Sequence, residues 1–197
     1  MGLTRIPGDQ LATVVTTLEM TKRPPQRPAP DAPLRLVRRE RPAADEYRAL
    51  FRRVGARWLW YSRLMMDDAA LLAIIHDPQV QVFAAVDRTG SEVGMLELDF
   101  RHAGACEIGY FALVPELVGK GLGRWLMAEA LTRAWTKDVA RIRVHTCTLD
   151  HPSALGFYRA QGFTAVSRTM ETFADPRVAG VLPADAAPQV PLLARTR

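Results

Sequence analysis

The sequence predicts one α/β domain with a mixed, mostly antiparallel sheet flanked by helices. Two observations carry this prediction. The predicted elements follow the order strand, two helices, three strands, helix, strand, helix, strand, which is neither a regular βαβ array nor a sandwich pattern. The chain has 197 residues, of which 48% are hydrophobic and 24% charged, as is usual for one globular domain.

The first third of the chain predicts a strand, a linker and two helices. Residues 11–20 are rich in β-branched side chains and predict an outer strand, whereas residues 23–33 carry five prolines and predict an extended linker. A short strand follows at 34–38. Residues 43–54 place apolar side chains three and four positions apart, which predicts an amphipathic helix, and a second helix is expected at 67–75.

The rest of the chain predicts a meander followed by alternating helices and strands. Strands are expected at 79–86, 92–100 and 107–114, with turn residues between them. A helix at 121–135, a strand at 140–147, a helix at 153–160 and a strand at 163–173 complete the domain. We therefore expect an N-terminal strand and proline-rich arm (1–33), the compact domain (34–173), and a loosely packed tail (174–197).

Composition and charge argue against several classes of protein. The net charge is +5, but the sequence has no tract of five or more basic residues, so nucleic-acid binding is not expected. Neither a membrane-spanning apolar run nor a signal peptide is evident, which leads us to expect a cytoplasmic protein without a membrane partner. The two cysteines, Cys106 and Cys147, fall in predicted strands and show no metal-ligand spacing, so no metal is expected.

The strongest chemical signal is the segment 111–124 (FALVPELVGKGLGR), in which a buried strand leads through three glycines into a long helix. Glycines allow successive backbone N–H groups to converge, and the helix N-terminus adds unpaired donors and partial positive charge. Lys120 and Arg124 add two cations. The spacing fits neither a Walker A loop nor a dinucleotide fingerprint, and glycines alone are also compatible with a plain turn.

Two motifs together resemble the GNAT superfamily of acyl-CoA-dependent N-acetyltransferases. The first is residues 107–115 (EIGYFALVP) followed by 119–123 (GKGLG), and the second is residues 151–163 (HPSALGFYRAQGF). The resemblance is good over residues 80–170 and rests on topology alone over 34–79. This chain has Val118 where the family's phosphate loop usually begins with Gln or Arg, and His151 where the second motif usually opens with Asn.

The resemblance implies a site for acetyl-CoA as the acyl donor, with no metal. Pantetheine would pair with the end of the strand at 111–113, and the pyrophosphate would bind the glycine loop. Tyr158 matches the family's tyrosine and is the candidate general acid for the departing thiolate. The implied donor-binding residues are Phe111, Ala112, Leu113, Val118, Gly119, Lys120, Gly121, Leu122, Gly123, Arg124, His151 and Tyr158.

The general base and the acceptor pocket are left open. Glu107 aligns with the base of some family members, and strand alternation suggests Glu97 as its partner; either is also compatible with a purely structural role. His145 and His151 are further candidates. The segment 58–61 (WLWY) lies where the family commonly builds its acceptor pocket, but it equally suits a helix-packing cluster.

We therefore expect an N-acetyltransferase that moves the acetyl group of acetyl-CoA directly onto a primary amine. Two alternatives remain at this point, namely a non-catalytic acyl-CoA-binding or sensing module and a protein-modifying acyltransferase. Neither the acceptor nor the acyl chain length is predicted, and formation of a homodimer is left open.

Overall fold

The computed structural model describes residues 2–25 and 30–193, which form seven strands and four α-helices. The predicted elements are confirmed, with ends that move by one or two residues. In chain order they are β1 (Gln10–Met20), β2 (Arg35–Arg38), α1 (Ala44–Gly55), α2 (Asp68–Ile75), β3 (Val80–Val86), β4 (Glu92–Asp99), β5 (Ala105–Leu113), α3 (Leu122–Ala134), β6 (Arg141–Cys147), α4 (Ala154–Ala160) and β7 (Thr164–Ala174).

The strands form one sheet in the order β2-β3-β4-β5-β6-β1-β7, in which β5 and β6 run parallel and every other neighbouring pair is antiparallel. The predicted mixed, mostly antiparallel sheet is thus confirmed. The prediction that β1 is an outer strand is wrong, because β1 lies between β6 and β7. Its C-terminal residues Leu18 and Met20 face the core, and burial of these side chains fixes the strand inside the sheet.

Helices cover both faces of the sheet. Helices α1 and α2 pack on one face through side chains such as Phe51 and Leu71, which are fully buried. Helix α3 packs on the other face through Leu126 and Met127, which are also fully buried. A helix on each face shields the central strands from solvent, which explains why β3 is apolar at nearly every position.

Strand β5 loses one of its two neighbouring strands, β6, in its second half, and this creates an opening in the sheet. A register shift opposite Glu97 and Leu98 marks a bulge at Gly109. The parallel pairing of β5 with β6 ends at Ile108 and Val144. Beyond the bulge, the two strands diverge and residues 111–113 of β5 keep only β4 as a partner in the described part of the chain.

The C-terminal segment, residues 175–190, is packed against the domain, so the prediction of a loosely packed tail is wrong for these residues. Asp175 and Arg177 form an ion pair with side chains 4% and 1% exposed. The Arg177 guanidinium also donates to the carbonyl oxygens of Ala186 and Val190. Internal hydrogen bonds, which leave no periodic pattern in the sequence, therefore fold this segment.

Two further observations concern the proline-rich linker and the helices. The proline-rich linker carries Pro28, which lies outside the described residues, as do residues 26, 27 and 29. Over the ranges that are described, no helix combines the length and apolar character needed to cross a membrane.

Candidate active site

A cavity of about 420 Å³ lies where β5 and β6 diverge. Its walls come from the second half of β5, the loop from β5 to α3, the end of β6 and the first turns of α4. Such a volume suits a small-molecule site. Ten of the twelve predicted donor-binding residues line it, and these are Phe111, Ala112, Leu113, Val118, Gly119, Gly121, Gly123, Arg124, His151 and Tyr158.

Two predicted donor-binding residues lie outside the cavity wall. The Leu122 side chain is 8% exposed and packs in the core beneath the loop. Lys120 is exposed at the loop surface. Leu122 therefore supports the loop from the core side, whereas Lys120 contributes positive charge at the loop surface.

The glycine loop has the geometry of an anion site. Gly119 and Gly121 have φ angles of 81° and 79°, a region that side chains with a Cβ rarely adopt, and Gly121 caps the N-terminus of α3. The backbone N–H groups of Leu122 and Gly123 stand at this helix N-terminus without an intrahelical partner, next to the cavity, whereas the N–H of Arg124 donates to the Gly121 carbonyl oxygen. No carboxylate in the described part of the chain forms an ion pair with Lys120 or Arg124.

The free edge of β5 supplies a second kind of contact. Residues 111–113 line the cavity and have no β6 partner among the described residues. An extended ligand arm carrying amide groups can pair with such an edge as an additional strand. The unpaired backbone and the glycine loop lie along the same cavity wall.

Tyr158 is buried in the floor of the cavity. Its side chain is 7% exposed and its ring packs edge-on against Phe111, Phe157 and Phe163. Burial, with a smaller contribution from the nearby Asp150 carboxylate, raises the pKa of Tyr158 well above its ordinary value. The hydroxyl therefore carries its proton throughout the neutral pH range.

The structure places Glu97 away from the cavity. Its side chain is 1% exposed, and its two oxygens accept hydrogen bonds of 2.6 Å from the Tyr47 hydroxyl and from the Arg63 guanidinium. The expected pairing of Glu97 with Glu107 is wrong, because the bulge puts Tyr110 opposite Glu97 and Asp99 opposite Glu107. With both oxygens engaged and no access to the cavity, Glu97 has the surroundings of a structural carboxylate.

Glu107 and His145 lie beside each other on the parallel strands β5 and β6. The Glu107 carboxylate is 3.5 Å from Nε2 of His145, and Nδ1 of His145 is 3.1 Å from the Thr17 hydroxyl. His145 lines the cavity, whereas Glu107 stands behind it. The two side chains therefore form a polar pair at the edge of the cavity, with the imidazole on the cavity side.

The segment 58–61 is divided between cavity and core. Trp58 and Trp60 line the cavity, and Trp60 also packs on Phe51 and Tyr110. Gly55 is required for this packing, since a Cβ there would lie 2.5 Å from the Trp60 ring. The packing interpretation is thus confirmed for Trp60, whereas the acceptor-pocket interpretation stays a prediction.

Several residues of the site were missed by the sequence reasoning. Asp150 lines the cavity, and its carboxylate accepts from the Thr146 hydroxyl and from the backbone N–H of Cys147. Tyr110 lines it as well, and its hydroxyl is 2.6 Å from that of Ser62. Asp150 directly precedes the second motif, and this position could have identified it from the sequence. No sequence pattern identifies Ser62.

The described residues contain no group of three or more His, Cys, Asp or Glu side chains arranged to hold a metal ion.

Comparison with known proteins agrees with the geometry. The family model for the acetyltransferase (GNAT) family matches residues 42–163. A comparison of the sequence with curated proteins finds no significant match.

Similar solved structures share the fold at low sequence identity. A GCN5-related N-acetyltransferase from Sphaerobacter thermophilus is 19% identical with a TM-score of 0.58; the alignment covers 82% of this chain and 51% of that one, so this chain spans about half of that relative. An aminoglycoside acetyltransferase from an uncultured soil metagenomic sample is 20% identical with a TM-score of 0.55, over 70% and 92% of the two chains.

A third similar structure is a variant of the spermidine N-acetyltransferase from Vibrio cholerae, which is 19% identical with a TM-score of 0.52 over 76% of this chain and 98% of that one. These three structures share the overall fold of this chain. Since the family model covers more than half of the chain, the protein belongs to the GNAT acetyltransferase family.

Proposed function

We propose that the protein is an N-acetyltransferase that moves the acetyl group of acetyl-CoA onto a primary amine, by direct transfer. The observation that carries the proposal is the single cavity wall that joins a free strand edge, a positive-φ glycine loop and a buried tyrosine. These three features correspond to the three parts of the donor: an amide-bearing arm, a pyrophosphate and a thioester.

The donor would bind along that wall. The backbone of residues 111–113 pairs with the amides of pantetheine, and the N–H groups around Gly119 and Gly121 bind the pyrophosphate with charge from Arg124. Val118 replaces a polar residue of the family motif, and its own N–H donates to the Pro115 carbonyl oxygen, so the N–H groups that follow it in the loop would hold the pyrophosphate. The residues present therefore fit the donor without a metal ligand set.

The reaction follows from the groups around the thioester position. The amine nitrogen attacks the thioester carbonyl, a C–N bond forms, and the C–S bond breaks to give the amide and the thiolate of CoA. A backbone N–H of the free β5 edge stabilises the charge that develops on the carbonyl oxygen. Tyr158, which holds its proton at neutral pH, donates it to the departing sulfur.

The proton of the attacking amine would go to the Glu107–His145 pair. His145 lines the cavity and its Nε2 lies 3.5 Å from the Glu107 carboxylate, so the two groups are placed to pass this proton on from the cavity. We do not retain Glu97 in this role, since its oxygens are committed to Tyr47 and Arg63. The pair therefore takes the place of the two carboxylates suggested by the sequence.

Replacement of Tyr158 by phenylalanine tests this proposal. The ring lies among three phenylalanines, so Tyr158→Phe removes the hydroxyl and preserves the packing. With an amine panel as acceptors, kcat is expected to fall about 100-fold or more, which is typical for loss of a general acid. The Kd for acetyl-CoA, measured on the same variant, is expected to stay within twofold.

Two outcomes would overturn the proposal. Equal kcat for wild type and Tyr158→Phe would remove Tyr158 from the mechanism. Binding of acetyl-CoA without acetylation of any amine would identify an acyl-CoA-binding module instead. Failure of small amines with acetylation of peptide or protein amines would keep the chemistry and identify a protein-modifying enzyme.

A further inference from the structure

A second cavity, of about 450 Å³, adjoins the first. The two share Trp58, Val118 and His151, and the rings of Trp58 and His151 meet edge-on with centroids 5.4 Å apart. These two rings therefore form a partition between the cavities. A molecule in the second cavity would meet a donor in the first at this partition.

The wall of the second cavity carries a cation with no countercharge. Arg57 lines it, and none of the ion pairs found within residues 2–25 and 30–193 includes this side chain. The guanidinium carbon lies 5.9 Å from the centre of the Trp58 ring. A planar, always charged group held over an aromatic ring is suited to bind a carboxylate with two hydrogen bonds.

The position of Arg57 is fixed from the far end of the chain. The side-chain amide of Gln189 donates a 2.7 Å hydrogen bond to the Arg57 carbonyl oxygen, and Gln189 also lines the cavity. The neighbouring Leu59 is 2% exposed and packs against Leu182 and Ala187 of the C-terminal segment. The cation is thus anchored through its backbone, while its side chain is exposed.

The balance of charge favours an anionic acceptor over a polycationic one. Among the residues that line either cavity, Asp150 is the one carboxylate, and its Oδ2 already accepts from Thr146 and Cys147. The lining cations and imidazoles are Arg57, Arg124, His145 and His151. A polyamine would find few carboxylates in this wall, whereas a carboxylate would find Arg57.

We propose that the second cavity binds the acceptor and that the acceptor is a small amino acid-like molecule, with Arg57 binding its carboxylate while its amine enters the first cavity past Trp58 and His151. Val118, Pro115 and Pro152 contribute apolar surface beside the bound molecule. This inference rests on the proposed function, and it specifies the class of acceptor for the same site.

Matched acceptors and matched variants test the inference. Each amino acid of a panel is compared with its own carboxamide, for wild type, Arg57→Gln and Arg52→Gln. Arg52 is an exposed arginine of α1 that lines neither cavity, so its variant loses the same charge elsewhere. Because each variant is compared with wild type on the same pair, the different basicities of the two amines cancel.

Wild type and Arg52→Gln are expected to prefer the amino acid over its amide by about tenfold or more in kcat/KM, the size of one charge-assisted hydrogen bond. Arg57→Gln is expected to lose that preference through KM, with kcat and the Kd for acetyl-CoA unchanged. The inference is overturned if Arg57→Gln keeps the preference of wild type between the amino acid and its amide, or if polyamines are the better acceptors of wild type. It is equally overturned if Arg57→Gln weakens acetyl-CoA binding instead, which would make Arg57 a ligand of the CoA phosphates.

Binding measured without turnover separates this inference from the proposed function. Titration of the same amino acids into the protein, followed by isothermal titration calorimetry, is expected to saturate for wild type and Arg52→Gln, and the affinity is expected to weaken about tenfold for Arg57→Gln. Binding that depends on Arg57 but gives no acetylation would support the second cavity and contradict the proposed function. No binding of any amino acid would contradict the inference itself.

Discussion

The two sides of the site are built in different ways. The donor side, which comprises the end of β5, the glycine loop and the start of α4, comes from two short stretches of sequence that carry recognisable motifs. The acceptor side, residues 56–66 with the C-terminal segment, is held by contacts such as Gln189 to Arg57 and Tyr61 to Glu171, which join residues 132 and 110 positions apart. The proposed donor site is therefore local in sequence, whereas the proposed acceptor site depends on the tertiary structure.

The largest expected effect tests whether the acceptor side is anchored by the buried pair of Arg63 and Glu97. Glu97→Gln leaves the Arg63 guanidinium, 10% exposed, without a countercharge. We expect the free energy of unfolding to fall by about 3–5 kcal/mol, as for other broken buried pairs. Urea unfolding measures this loss.

A matched control for that variant is Glu129→Gln, which breaks the partly exposed pair of Glu129 with Arg133 one helical turn away. We expect Glu129→Gln to lower the free energy of unfolding by less than about 1 kcal/mol. If Glu97→Gln lost no more free energy of unfolding than Glu129→Gln, the Arg63–Glu97 pair would not anchor the acceptor side.

The next effect tests the contribution of the C-terminal segment. Leu182 is 3% exposed and packs on Leu59, so Leu182→Ala is expected to cost about 2 kcal/mol and to raise KM for the acceptor. The Kd for acetyl-CoA should change little, because the glycine loop lies on the other side of the site. Leu192→Ala, at a leucine that is 40% exposed, is the control and should alter neither quantity.

A Leu182→Ala variant that weakened acetyl-CoA binding as much as acceptor binding would contradict the proposed independence of the two sides.

A smaller effect concerns pH. Burial alone would raise the pKa of Asp175, but the hydrogen bonds from Arg177 outweigh it and hold this pKa below its ordinary value. The pair therefore stabilises the folded state above the unfolded-state pKa, which is about 3.9, and this stabilisation is lost as the pH falls through the folded pKa. The difference in unfolding free energy between wild type and Asp175→Asn is expected to shrink between neutral pH and pH about 3. A difference that stays constant over this range would show that the ionised pair does not stabilise the segment.

The smallest effect is expected at the cysteines. Burial raises the pKa of the Cys106 thiol to about 12, and it also raises that of Cys147. At neutral pH the thiolate fraction of Cys106 should be lower than that of free cysteine by about a thousandfold or more. Treatment with an alkylating reagent is expected to leave acetyl transfer unchanged, as measured by release of CoA. Rapid labelling of the native protein at Cys106 would disprove this prediction.

The contrast between local motifs and contacts that join distant residues also explains which features could be predicted from the sequence. Hydrophobic periodicity and turn residues predicted the elements, because these signals depend on neighbours three or four positions away at most. The glycines at 119–123 predicted an anion site for the same reason. The position of β1 was not predictable, since its neighbours β6 and β7 lie more than 120 residues away.

The two carboxylates predicted as candidate general bases show where sequence reasoning failed within the site. Alternation along β4 and β5 paired Glu97 with Glu107, but the bulge at Gly109 adds one residue and shifts the register. The bulge also brings the Gly109 backbone close to Glu97, where a Cβ would lie 3.2 Å from the carboxylate. The contact between His145 and Glu107 depends on the parallel arrangement of β5 and β6, which the sequence pattern did not reveal.

Titration of acetyl-CoA into wild type, Gly119→Glu and Gly104→Glu tests the central claim most directly. Gly119 and Gly104 both have positive φ angles, 81° and 69°, and at both a Cβ would meet open space, so the two variants carry equal strain and charge. We predict that wild type and Gly104→Glu bind acetyl-CoA with the same affinity, because Gly104 lies in the turn before β5. Gly119→Glu places a carboxylate in the glycine loop, and we predict that this variant folds but does not bind acetyl-CoA. Equal binding by all three proteins, or no binding by folded wild type, would contradict the assignment of the donor site.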